Sequence, residues 1–228
     1  MTILLAIETS TEMASIALLS EHGLICRELT GVQTHSQGVL PAIQDIFEEA
    51  CITLKQCDAI AFGGGPGAFT GVRTACGIVQ GLAFGADLPI IPVVSLLAMA
   101  QAACHPGIDA DFVCVLDARM GEVYWAHYRW QNQNWVQVSQ PALSTAEQVF
   151  LYATSINVTL VLGNGAMPNI AVDSEQIIHK MPHAEHVAKL ALIDFLMGKQ
   201  LHADQAQPLY LRNKIALTTI ERALLKSN

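Results

Sequence analysis

The chain has 228 residues, 52% of them hydrophobic and only 14% charged, which is enough to bury a substantial core as one large domain or two small ones. A net charge of −8 argues against unaided nucleic-acid binding, because phosphate contacts need clustered Lys and Arg. The longest uncharged stretch, Leu88 to Ile108, contains Pro89, Pro92 and Pro106 and cannot form a membrane-spanning helix.

Met1 to Leu5 lacks the basic region of a secretory signal and meets Glu8 almost at once, so a cytoplasmic protein is expected. Ile3 to Ile7 predicts a strand ending at Glu8, Thr9-Ser10-Thr11 a turn, and Ala14 to Leu19 and Leu24 to Leu29 two returning strands. Val39, Leu40, Ile43, Ile46, Phe47 and Ala50 then recur on one helical face. Pro41 is tolerated only within a first turn, which places the helix start near Ser36 to Gly38. His35, just before it, reads as part of that start, since no acid or nucleophile stands near it.

The apolar run Ala59 to Phe62 predicts a buried strand, and it opens into Gly63-Gly64-Gly65-Pro66-Gly67-Ala68-Phe69-Thr70-Gly71. A strand, a glycine turn and a helix start present free N–H groups at the positive end of a helix dipole, which suits an anion at Gly65, Gly67, Thr70 and Gly71. The same glycines also serve a plain tight reversal and a close helix–sheet contact. No Gly-Lys-Ser/Thr closes the loop, so it is not a Walker A loop. Arg73 opposes the dipole in the first helical turn, and an acid partner or a bound anion is expected for it. Farther on, Gly77, Gly81 and Gly85 recur every four residues. Each interior glycine disfavours helix by ~1 kcal/mol, so another backbone is expected close to that side, either the chain's own sheet or a second subunit.

Phe112 to Leu116 ends at Asp117, Ala118 to Gly121 turns, and Val123 to Trp130 and Trp135 to Val138 return. Val158 to Leu162 then ends in Gly163-Asn164-Gly165. The order strand, strand, strand, helix, strand, helix therefore occurs twice, which predicts an internal duplication and an α/β fold of two lobes, 1–105 and 106–228. A helix near the C-terminus is left to pack back on the first lobe. Pro182 separates His179 from His183 and His186, leaving two metal ligands without a third. The six cysteines form no Cys-x-x-Cys pair and read as reduced core residues. Arg212, Lys214, Arg222 and Lys226 concentrate cations at the end of the chain, as a solvated helix face would.

Five segments occur in an order that resembles one family. They are Ile7-Glu8-Thr9-Ser10-Thr11, His35-Ser36, Gly65 to Arg73, Asp117-Ala118-Arg119-Met120-Gly121-Glu122-Val123-Tyr124, and Pro208 to Asn213. Together they are similar to the TsaB (YeaZ) proteins of the bacterial machinery that makes threonylcarbamoyladenosine in tRNA. The resemblance implies a two-lobed actin-like, sugar-kinase-like (ASKHA) fold. It also implies a non-catalytic partner of the catalytic paralogue TsaD, joined by the ATPase TsaE. That complex transfers threonylcarbamoyl from its adenylate to N6 of adenosine 37 in tRNAs reading codons that begin with A.

The resemblance places the subunit interface on the helices 36–51 and 71–85, with Val39, Leu40, Ile43, Ile46, Phe47, Ala50, Arg73, Gly77, Gly81 and Gly85, and implies a homodimer when the chain is alone. It implies no catalytic residue, no metal and no resident cofactor, with ATP or ADP at the complex interface left open. The positions where the catalytic paralogue carries its His-x-x-x-His metal ligands fall here near Leu96 and Ala100, which cannot coordinate. Glu8-Thr9-Ser10 and Asp117-Ala118-Arg119 depart from the Asp-x-Gly turn of phosphotransferases of this fold. The rival readings are a glycoprotease-like metallopeptidase and an ATP-dependent small-molecule kinase.

Overall fold

The computed structural model describes residues 2–29, 35–105, 107–163 and 176–212. Leu4–Glu8 (β1), Ala14–Ser20 (β2) and Gly23–Leu29 (β3) form an antiparallel meander. After helix His35–Ala50 (α1), strand Ala59–Gly63 (β4) joins β1 in parallel. Helix Phe69–Ala86 (α2) leads to strand Ile90–Val93 (β5), parallel to β4, and then to helix Ser95–Ala103 (α3). The sheet order is β3-β2-β1-β4-β5.

The second half repeats the plan. Ala110–Asp117 (β6), Glu122–Gln131 (β7) and Asn134–Gln137 (β8) form a meander, with the short strand Ala142–Thr145 (β9) also pairing β7. Helix Ala146–Ser155 (α4) precedes strand Thr159–Leu162 (β10), which runs parallel to β6. Ile177–His179 (β11) adds beside β10 in parallel, and helix Ala184–Leu196 (α5) follows. The order β11-β10-β6-β7-β8 mirrors that of the first sheet, and the duplicated unit gives a two-lobed actin-like α/β fold.

Alternation along β1 divides the core. Leu5 and Ile7 pack with Val39, Ile43 and Ile46 of α1 and Val79 and Ala83 of α2. Leu4 and Ala6 face the other way, onto Ala184, Val187, Ala188 and Ala191 of α5. Small side chains at Ala6, Ala17, Ala59 and Ala61 let that helix lie close to the sheet. Helix α3 crosses in the opposite sense, and its Leu96, Met99 and Ala100 cover Phe112, Cys114 and Leu116 of the second sheet. Each half thus supplies a helix to the other half's sheet, while α4 covers the far face of the second.

Pro41 departs from expectation. Helix α1 begins at His35, so Pro41 lies in its second turn and forgoes the bond to the Gln37 carbonyl. Burial supplies the compensation, because Val39 is fully buried and Gly38 sits against the Leu29 side chain. Of the sequence features named above, Asn164, Gly165, Asn213, Lys214, Arg222 and Lys226 lie outside the described residues.

Candidate partner-docking face and interlobe cleft

The tip of β1 is where a phosphotransferase of this architecture would place a free acid, and here the acid is committed. Glu8 is fully buried. Its Oε1 accepts the Ser10 N–H at 2.6 Å and its Oε2 accepts the Ser95 hydroxyl at 2.9 Å. Burial pushes its carboxyl above the ordinary range, although the bonds from Ser10 and Ser95 work against that shift. A Cβ on Gly63 would overlap the Glu8 carboxylate, so that glycine exists to make room for the acid. Glu8 joins the first turn to the start of α3, fully buried, with each of its oxygens held by one hydrogen bond.

The glycine loop packs closely against the chain's own backbone. A Cβ at Gly67 would strike the Ser10 carbonyl, and one at Gly71 would strike the Thr9 carbonyl. Thr9 Oγ1 donates to Gly71 O at 2.7 Å, and the Ala68 N–H donates to Ser10 O at 2.6 Å. Gly65 has a φ of +97°, and its carbonyl accepts the Ser95 N–H. Gly67 and Gly71 therefore admit the Thr9–Ser10 turn on the side where a Cβ would stand. Thr70 is exposed, and its carbonyl accepts the Thr74 hydroxyl.

Between the lobes lies a cavity of about 510 Å³, with Ser10, Phe69, Asp117, Arg119, Tyr124 and Arg212 among its lining residues. Residues 209–212 line it and bridge the lobes as a strap. The Leu209 N–H donates to Gly64 O at 2.7 Å on the first lobe. On the second lobe, Arg212 donates to Ala118 O at 3.0 Å and to Glu122 Oε2 at 2.6 Å. Arg73 Nε donates to Tyr210 Oη at 2.6 Å, and its guanidinium lies 3.5 Å from the Phe69 ring centroid. Among the described residues no acid pairs with Arg73, and the Tyr210 phenol takes its Nε–H while the Phe69 ring faces its charge. The motif Pro208 to Arg212 was legible in the sequence, but its bridging role was not.

The outer face of α1 and α2 presents a different chemistry. Arg73, Gly77, Gly81 and Gly85 are exposed along one side of α2, and a Cβ on any of the three glycines would meet nothing within 4 Å. The chain's own sheet contacts the opposite side, through Val72, Ala75, Val79 and Ala83, so it does not account for the glycine row. Phe84 beside the row is 79% exposed, and Leu40 on α1 is 51% exposed. An open apolar groove between the helices is lined by Leu40, Ile43, Phe47, Ile52, Leu54 and Leu82. The α1 stripe is thereby divided. Val39, Ile43 and Ile46 are buried in the core, while Phe47 and Ala50 are half-buried and Leu40 is open. Val39 and Ile46, which the resemblance assigned to an interface, are core residues because the sheet takes the centre of the apolar stripe first.

Leu96 and Ala100 are fully buried apolar core, so neither the chemistry nor the placement of a His-x-x-x-His site exists there. His179 ends β11, whereas His183 caps α5 and accepts the Glu185 N–H on Nδ1 at 3.1 Å. Burial pulls the His186 imidazole down to about 4. Of the cysteines, Cys57, Cys76 and Cys114 are buried but Cys51 is exposed. No helix among the described residues is long and apolar enough to cross a membrane.

The profile of the TsaD family, tRNA N6-adenosine threonylcarbamoyltransferase, matches residues 21–193. The chain is 37% identical over 221 residues to the tRNA threonylcarbamoyladenosine biosynthesis protein TsaB of Escherichia coli K12, covering 93% of this chain and 96% of that one. The Haemophilus influenzae TsaB is 35% identical over 223 residues, with 93% and 94% covered. Among solved structures, YeaZ from Pseudomonas aeruginosa superposes with a TM-score of 0.81 at 37% identity, covering 92% of this chain and all of that one.

Proposed function

The chain belongs to the TsaB (YeaZ) family, within the wider TsaD family, and from that membership we propose that it serves threonylcarbamoyladenosine formation in tRNA as a docking and activating subunit without turnover of its own. It pairs with the catalytic paralogue TsaD, is joined by the ATPase TsaE, and forms a homodimer when its partner is absent. The observation that carries the reading is Glu8: the acid at the tip of the first strand is fully buried and bonds Ser10 and Ser95, and the Thr9–Ser10 turn packs against the neighbouring glycine loop. Leu96 and Ala100, near the positions where the resemblance puts the paralogue's metal ligands, have no coordinating atoms.

The exposed glycine row on α2 and the apolar groove beside it supply the opposite property, a surface that another helix can approach closely. Within this surface the docking contacts narrow to Leu40, Phe47, Phe84, Gly77, Gly81 and Gly85. With a net charge of −8, contact with tRNA falls mainly to the partners.

Reconstitution tests the proposal. The purified chain alone transfers no threonylcarbamoyl group to tRNA, and adding it to the paralogue and the ATPase switches transfer on. Turnover by this chain alone, or full activity of the other two without it, refutes the assignment. Calorimetry with ATP and magnesium tests the kinase reading, which requires at least micromolar affinity in the interlobe cavity.

A further inference from the structure

Alternation along β3 brings Cys26 and Glu28 to the face that α5 covers. His183 caps that helix and Glu185 stands in its first turn. One candidate ligand atom from each of Cys26, His183 and Glu185 lies within 4.8 Å of the other two. Glu28 Oε1 is 3.5 Å from His183 Nε2. A thiol, an imidazole and a carboxylate converging from two elements form the mixed S, N, O donor set that zinc-class cations accept.

We propose that Cys26, His183 and Glu185 bind one zinc-class divalent cation, with Glu28 beside the imidazole, and that the cation staples the edge strand β3 to the start of α5. None of these side chains lines the interlobe cavity. The site therefore acts on architecture, and it stands whether or not the chain is an activator. Its position has a structural consequence. Helix α5 comes from the second half of the chain and packs on the first sheet, where the Ala184 N–H donates to Ser15 Oγ at 2.9 Å. A cation beside that contact adds a second tie across the same crossover.

Binding rearranges protons in a defined way. Lys189 Nζ holds Glu185 Oε1 at 2.6 Å, which leaves Oε2 for the cation. The His183 Nδ1 lone pair now accepts the Glu185 N–H. A cation on either ring nitrogen replaces that bond, because coordination at Nε2 moves the ring proton to Nδ1. Cys26 must become a thiolate. Affinity therefore rises with pH, and loading releases the thiol proton to solvent.

The test uses the full chain, stripped with chelator and then titrated with zinc alone or cobalt(II) alone. One equivalent of zinc per chain is expected, with a thiolate-to-cobalt charge-transfer band and a rise in Tm of about 5 °C at a hundredfold excess over Kd. Cys26→Ser abolishes the band and weakens zinc at least tenfold. His183→Asn, which keeps a capping oxygen for α5, weakens zinc similarly while the metal-free Tm stays near the parent's. Failure to retain zinc at micromolar concentration overturns the proposal. So does a stoichiometry and affinity that Cys26→Ser leaves unchanged, which would place the metal elsewhere.

Discussion

Replacing Gly81 by leucine separates the stability of the free chain from its ability to associate. Gly81 lies in the fourth turn of α2, and a Cβ there meets nothing within 4 Å. In the free chain the substitution therefore introduces no clash and removes the glycine penalty, a gain of up to about 0.8 kcal/mol. For a chain of this size that is a rise in Tm of about 2 °C. In a complex whose partner backbone approaches the row formed with Gly77 and Gly85, the same side chain overpacks the crossing by about 1–3 kcal/mol. That cost weakens association by roughly 5- to 150-fold. Sedimentation equilibrium of the chain alone and calorimetric titration with the catalytic paralogue measure the second effect, and a thermal scan at low concentration measures the first. An unchanged Kd for both pairings refutes the docking face, and a fall in the Tm of the dilute chain refutes the claim that the row is open.

Gly71→Ala acts on the fold itself. Its Cβ would enter the Thr9 carbonyl, so a loss of about 3 kcal/mol is expected in chemical denaturation, whereas Gly77→Ala, at an open position, gains up to about 1 kcal/mol. Glu8→Gln tests the buried acid. The carboxyl of Glu8 is raised in the folded state, so the native chain holds a proton that the unfolded chain has released. Wild-type stability is accordingly lost as pH rises from the unfolded value near 4.5 through the raised one. Glutamine keeps an acceptor for the Ser10 N–H and should flatten that slope in denaturant midpoints taken across the pH range; an unchanged slope excludes Glu8 as its source. Arg212→Ala removes charge-assisted bonds to Ala118 O and Glu122, each worth about 1.5–3 kcal/mol. Faster hydrogen exchange at the Leu209 amide, which bonds Gly64 O, reports release of the strap.

The sequence by itself determined the duplicated α/β architecture, because alternating apolar strands and a helical stripe are local patterns that the chain carries in its own order. It also determined that Leu96 and Ala100 cannot hold a metal, since coordination requires donor atoms whatever the fold. Which way a stripe faces is not local. The apolar residues of α1 share one periodicity, yet the sheet takes Val39 and Ile46 and leaves Leu40 open. Five glycines around α2 look alike in sequence and divide equally sharply in space. Gly67 and Gly71 are required by the backbone of a turn far earlier in the chain, while Gly77, Gly81 and Gly85 face open space. Cys26, His183 and Glu185 are joined only because α5 returns across the first sheet. Such relations depend on close packing between segments distant in sequence, and tertiary structure alone decides them.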